Sequence, residues 1–371
     1  MVIGRGRRTR ARRLSLLVGS VGLAVLGGTA TLAAASDPDP SLTGAPVLAN
    51  DTMALTIVGD TMLGDAAQHY LDRYGYEWPA AKLPPWPAGS VVVANLEGPI
   101  TTSTTVLDPD RPWTYNADPA AAPALRAIGV DVVSLANNHS MDRGLTGLTD
   151  SIAHTTAAGI VDIGAGENLA RAQRPFLLDT PSGRLALFGF EDTNSAFTAR
   201  HDRPGTLRLS NEAMADAAAR ADDAGAVVTV AYVHWGENYA PVDDRQRERA
   251  RALVEAGFDL VVGAGSHTGQ PIEIVDGVPV AYSVGNFLFG TPGRYPAAAP
   301  GRSHILTVTF EPGRGMTLDV RCLEVDNEDV AFQPRACGPA DAPAYYRSIS
   351  PDLVYEPTSG AATMDLPAPS S

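Results

Sequence analysis

Short apolar runs rich in β-branched residues recur along the chain at 54–58, 91–94, 130–135, 185–190, 227–233, 260–262, 278–284 and 305–310. Runs of this length and composition read as strands. Helical segments alternate with them: residues 211–224 follow Ser210, a good N-cap with Glu212 in the first turn, and residues 243–256 stop at Gly257, a good C-cap residue. Alternation of strands and helices predicts an α/β fold with a parallel sheet covered by helices, and hairpin-like strands toward the C-terminus. A doubly wound sheet and a two-sheet α/β sandwich both satisfy the pattern.

Five of the runs are followed by a polar cluster: Gly59-Asp60, Asn95-Leu96-Glu97, Asn137-Asn138-His139, His234-Trp235-Gly236-Glu237 and Gly265-Ser266-His267. Strand ends are where a parallel sheet delivers side chains into one crevice, and Asp, Glu, Asn and His are the ligand set of a hard-to-borderline metal. Asp60 or Glu97 alone would read as a turn carboxylate. Two amides and an imidazole after the apolar run at 132–135 are costly to bury unless they find partners. Asp142, three residues beyond His139, is placed to orient that imidazole. Gly164-Ala-Gly166 lacks the third glycine of a dinucleotide fingerprint, and Gly265-Ser266-His267 lacks the glycine that a nucleophile elbow needs after its serine.

The ends differ from this core. Residues 1–35 combine Arg5, Arg7, Arg8, Arg10, Arg12 and Arg13 with an apolar run and Ala33-Ala34-Ala35, the pattern of a signal peptide with a cleavage site before Ser36. An uncleaved membrane anchor is the other reading, since residues 14–35 are just long enough to span a bilayer. Either way the protein is expected outside the cytoplasm, secreted or anchored. Residues 36–51 read as a linker, 52–337 as one large α/β domain, and 338–371 as a Pro- and Ala-rich tail. The only cysteines, Cys322 and Cys337, are expected to form a disulfide in an exported chain.

Charge narrows the partners. The chain holds 28 basic and 42 acidic residues, and losing the six arginines of the leader leaves 22 against 42, a net of −20. Nucleic acid and anionic lipid are poor partners for such a surface. An anionic substrate would need compensation by metal ions or local arginines. Lys82 is the only lysine, so Schiff-base chemistry has essentially no candidate.

Six ordered motifs then give a resemblance. They are Gly59-Asp60-Thr-Met-Leu-Gly64, Asn95-Leu-Glu-Gly-Pro99, Leu135-Ala-Asn-Asn-His139 with Asp142 and Gly144, His234-Trp-Gly-Glu237, Gly263 to Gln270 with Pro271-Ile-Glu273, and Tyr282-Ser-Val-Gly-Asn-Phe287. Over residues 53–312 the sequence resembles the CapA family, the bacterial poly-gamma-glutamate capsule synthesis proteins, which are similar to calcineurin-like metallophosphoesterases. The resemblance implies a four-layer α-β-β-α sandwich with a metal crevice at the strand ends. It also implies one or two divalent ions (Mn, Zn or Fe) on Asp60, Glu97, Asn138, His234 and His267, with His139 as proton donor beside Asp142. The chain departs from the pattern at two places: the family usually reads His-Pro-His where Gly265-Ser266-His267 stands, and related enzymes carry a His where Met62 lies. Both departures thin the ligand shells.

The expectation is therefore an exported metal-dependent hydrolase acting on a phosphoester or a gamma-glutamyl polymer at the cell envelope. A non-catalytic envelope module that binds an acidic polymer is the rival. No ATP-binding loop supports a ligase.

Overall fold

The computed structural model describes residues 53–193, 196–296, 301–311 and 315–367. The expected leader and linker, residues 1–51, lie outside them. Two large mixed sheets form the protein. The first runs in the order Val354–Glu356, Ala361–Pro367, Gly315–Glu324, Arg302–Glu311, Met53–Met62, Val91–Leu96, Val132–Ser134, Val161–Ile163, with Asn286–Phe289 also pairing with Met53–Met62. Its last four strands on that path are mutually parallel, and the strands from Arg302 onward are antiparallel. In the second sheet, the parallel strands Gly183–Glu191, Ala226–His234, Leu260–Ala264 and Val278–Ala281 are flanked by antiparallel hairpin strands Phe176–Thr180 and Ile272–Val275.

The layering follows from the period-2 alternation of side chains along each strand. Leu55, Ile57, Val91, Val93 and Val132 of the first sheet share one buried cluster with Leu185, Leu187, Val230, Tyr232, Leu260 and Val262 of the second. Their sequence neighbours point the other way. Val58, Val92, Ala94 and Val133 meet Leu125 of the helix Ala121–Ile128 and Leu148 of Gly144–Ala157. Ala186, Phe188, Ala231, Val233 and Val261 meet Met214 and Ala217 of Asn211–Asp223 and Leu253 of Asp244–Ala256. Two sheets face to face with helices on both outer faces make the four-layer α-β-β-α sandwich, which excludes the single doubly wound sheet. The Tyr232 hydroxyl donates to the Val58 carbonyl at 2.5 Å across the interface.

The caps read from sequence act as expected. Ser210 accepts from the Ala213 amide, Asp243 and Gln246 form a reciprocal capping box, and Gly257 ends its helix with φ 100°. Cys322 and Cys337 are disulfide-bonded, closing a loop that stabilises by about 3 kcal/mol.

The segment 338–371, read as a structureless tail, requires correction. It contributes the helix Ala342–Ile349 and the strands Val354–Glu356 and Ala361–Pro367, which extend the first sheet antiparallel to Gly315–Glu324. Tyr345, Tyr346, Ile349, Ala362 and Met364 are buried in the core between the sheets. The domain therefore runs at least to residue 367. Among the described residues no helix is long and apolar enough to cross a membrane.

Candidate metal centre

Register brings the polar clusters together. Asp60 pairs with Asn95 in one sheet, and His234 pairs with Ala264 in the other, so both sets of parallel strands end on the same side. Gly59 permits close packing there, since a Cβ at that position would lie 1.6 Å from the Gly285 carbonyl oxygen. Asp60, Glu97, His139, His234 and His267 are all buried at this junction.

Glu97 is the hub. One of its carboxylate oxygens lies 3.8 Å from His139 Nε2, 3.9 Å from His234 Nε2 and 3.9 Å from His267 Nε2. Asp60, Glu97 and His267 each offer a ligand atom within 4.8 Å of the others. The opposite sides of these groups are held by hydrogen bonds. Asn95 Nδ2 donates to Asp60 Oδ1 at 2.8 Å and lies 3.0 Å from His234 Nδ1, while its own oxygen accepts from Asn137 Nδ2 at 3.1 Å. The Gly265 amide donates to both Asp60 oxygens at 3.1 Å. His267 Nδ1 donates to Asn286 Oδ1 at 2.9 Å and lies 3.2 Å from Asp60 Oδ2, which leaves Nε2 facing Glu97. His267 takes the left-handed backbone region, φ 60°, a conformation that a non-glycine residue adopts rarely.

His139 sits beside this group with a second carboxylate behind it. Its Nδ1 donates to Asp142 Oδ2 at 2.7 Å, and Asp142 is itself fixed by Arg111 at 2.9 Å and by the Tyr115 amide at 2.7 Å. Aromatic rings wall the crevice: Tyr115 lies 4.2 Å from the His139 ring, Phe289 4.9 Å and Tyr239 5.4 Å from the His267 ring.

Protonation follows from burial and mutual charge. Burial alone would raise the Asp60 carboxyl, but the hydrogen bond and charge of His267, helped by His234 and Asn95, hold it below the usual range. Burial, reinforced by the Asp60 charge, pushes Glu97 well above it. Burial depresses His267, yet the Glu97 and Asp60 carboxylates overcome it and lift the imidazole to about 9. Burial takes His234 down to about 3 against the pull of Asp60, and lowers His139 against Asp142.

The residues fit a divalent ion. Glu97 Oε2 and Asn138 Oδ1 are buried acceptors with no hydrogen-bond partner among the described residues. Acceptors left bare in the interior are costly and point to a missing electrophile. The donor set of carboxylate, amide oxygen and imidazole suits Mn, Zn or Fe. Asp60, Glu97 and His267 would hold the ion most directly, with His234 and Asn138 at hand.

Of the residues expected to act here, Asp60, Glu97, His139, Asp142, His234 and His267 are brought together, while the Asn138 backbone carbonyl accepts from Arg111 and its side-chain oxygen is buried. Glu237 of the fourth cluster is exposed, and Trp235 is structural, its Nε1 donating to the Tyr282 carbonyl at 2.6 Å. Asn95 and Asn286 lay inside motifs but carried no assigned role. Arg111 and Tyr115 lie in the aperiodic stretch 97–120, where no sequence signal marks them. Gly265 also changes meaning. With φ 98°, it leaves no room for a side chain, since a Cβ would lie 2.7 Å from the His234 ring. Its amide anchors Asp60 where the family pattern carries an imidazole.

Comparison with known proteins matches residues 54–291 to the family model described as bacterial capsule synthesis protein PGA_cap. The PGA biosynthesis protein CapA of Bacillus subtilis (strain 168) is 30% identical over 244 residues, covering 65% of this chain and 64% of that protein. A probable polyglutamine synthesis accessory protein of Mycobacterium tuberculosis (strain ATCC 25618 / H37Rv) is 34% identical over 254 residues, covering 64% of this chain and 66% of that protein. The chain thus spans less than two thirds of the length of either relative. Among solved structures, a 5'-nucleotidase precursor from Thermus thermophilus aligns at 17% identity with a TM-score of 0.42, over 70% of this chain and 52% of that one.

Proposed function

The chain belongs to the bacterial capsule synthesis protein family PGA_cap, and from that membership we propose that it is an exported metal-dependent hydrolase acting on a phosphoester or an acidic, gamma-glutamyl-type capsule polymer at the cell envelope. The observation that carries the reading is the bare buried acceptor Glu97 Oε2 in a group where Asp60, Glu97 and His267 each offer a ligand atom within 4.8 Å of the others. A bound divalent cation supplies Lewis acidity and lowers the pKa of water.

The protein's own residues do the rest. Asp142 accepts from His139 Nδ1, which fixes the ring so that Nε2 faces the crevice. Once Nε2 has taken up a proton, the imidazolium, supported by Asp142, would hand that proton to the departing oxygen or nitrogen, a contribution of typically 100- to 10,000-fold. Asn95 orients Asp60 and His234 together, and Tyr115, Phe289 and Tyr239 keep bulk water from the imidazoles.

The test uses the purified chain incubated with Mn or Zn, analysed for bound metal and for hydrolysis of bis-p-nitrophenyl phosphate and poly-gamma-glutamate. His139→Asn is expected to keep the metal and lose at least about 100-fold in kcat. Absence of bound metal, or hydrolysis that survives in His139→Asn, would defeat the catalytic reading. Gly265 favours the rival, a module that binds an acidic polymer without turnover, because that position supplies no imidazole. Polymer binding and metal uptake without hydrolysis would select it.

A further inference from the structure

Arg294 stands at the mouth of the crevice. Its guanidinium carbon lies 4.7 Å from the Trp113 ring centroid and 5.6 Å from that of Tyr239, and Tyr239 in turn packs against the metal-facing His267. The loop that carries it is tied to the site: the Tyr295 hydroxyl donates to the His267 carbonyl at 3.2 Å and accepts from Asn286 Nδ2 at 2.9 Å. Trp113 comes from the other side, on the loop that delivers Arg111 to Asp142. Arg294 and Trp113 are both exposed.

Arg294 has no anion beside it among the described residues. Arg111, Arg245, Arg247 and Arg302 each pair with a carboxylate, on Asp142, Asp192, Glu273 and Asp341. Among the described residues no carboxylate lies within ion-pair distance of Arg294; its neighbours are aromatic faces. Its side chain also hydrogen-bonds Tyr239, and the N–H donors that remain on the guanidinium can meet a carboxylate, whose two oxygens match the planar fork. The need is real, because a chain with 42 acidic and 28 basic residues repels a polyanion unless a local cation receives it.

We propose that Arg294, stacked on Trp113 and Tyr239, is a specificity-determining residue that receives a side-chain carboxylate of an acidic gamma-glutamyl polymer next to the unit lying in the crevice. The inference rests on the same site as the hydrolase reading but concerns binding, so the two fail separately.

A gamma-linked glutamate decamer is titrated calorimetrically into the full metal-loaded chain and into Arg294→Ala, Arg294→Lys and Trp113→Ala, with metal content measured for each. Arg294→Ala is expected to weaken binding at least tenfold with metal content unchanged. Arg294→Lys should recover only part of the loss, because the charge returns without the fork, and Trp113→Ala should cost two- to fivefold. The wild-type affinity should fall with added salt more steeply than that of Arg294→Ala. Binding by Arg294→Ala within twofold of wild type, or no binding of the decamer by the wild type, overturns the proposal. Arg294-dependent binding without turnover keeps it and removes the hydrolase. Turnover with an unchanged KM in Arg294→Ala does the reverse.

Discussion

At the scale of single residues, Gly265 is the most instructive position. Read from sequence it is a lost ligand, since the family pattern carries an imidazole there. In the fold its φ of 98° and the 2.7 Å approach to the His234 ring make it a close-packing glycine whose amide holds both oxygens of Asp60. Restoring a side chain should therefore harm the site. Gly265→Ala is expected to destabilise the protein by about 1–3 kcal/mol, from left-handed backbone strain and overpacking. It should also displace His234 and weaken metal uptake. A urea midpoint and a metal titration both unchanged from wild type would contradict this account. The first-sphere candidates Asp60, Glu97, His234 and His267 were legible because each ends a β-branched run. The residues that orient them were not, because Asn95 and Asn286 act through hydrogen bonds across strands whose register no local pattern reveals.

At the scale of elements, the parallel strands and the capped helices announced themselves, and the C-terminal segment did not. The strand Ala361–Pro367 buries Ala361, Ala362 and Met364, and small residues with flanking prolines carry almost no periodic signal. The Tyr346 hydroxyl of its partner helix donates to the Gly360 carbonyl at 2.7 Å and accepts from the Cys322 amide at 3.0 Å. Tyr346→Phe removes the acceptor from a buried amide and is expected to cost about 1–3 kcal/mol in chemical denaturation; a loss near zero would mean that this segment contributes little. The same helix covers His304, whose Nδ1 shares a 2.7 Å hydrogen bond with Tyr345 and whose Nε2 has no partner among the described residues. Burial depresses this imidazole to about 3. The folded state thus binds its proton later than the unfolded chain, whose imidazole titrates near 6.5. Stability from neutral His304 is complete above about pH 6.5 and is lost as pH falls toward 3, by at most about 1.4 kcal/mol per pH unit. His304→Leu should flatten the decline in stability between pH 6.5 and 4. Equal slopes in the two proteins would exclude His304 as a cause.

At the scale of the whole molecule, the candidate centre lies where two sheets meet. Asp60 lies near the end of one strand of the first sheet, and Glu97 and His139 follow others; in the second sheet His234 ends a strand and His267 follows one. A sequence pattern could place each residue at a strand end, but it could not decide between one sheet and two; that depends on which face each strand buries. A cation held by ligands from both sheets would bridge the layers and bind only the folded state. Its free energy of binding then adds to stability, about 2.7 kcal/mol at a free concentration 100 times Kd. Mn or Zn is accordingly expected to raise the thermal midpoint in a concentration-dependent way. The increment, taken as the difference with and without metal, should vanish in Asp60→Asn and Glu97→Gln and persist in His139→Asn, which lies beside the ligands rather than among them. Comparing increments cancels whatever each substitution does to the metal-free protein, such as relief of a buried carboxylate. An increment of the same size in Asp60→Asn would place the stabilising ion elsewhere and remove the bridge between the sheets.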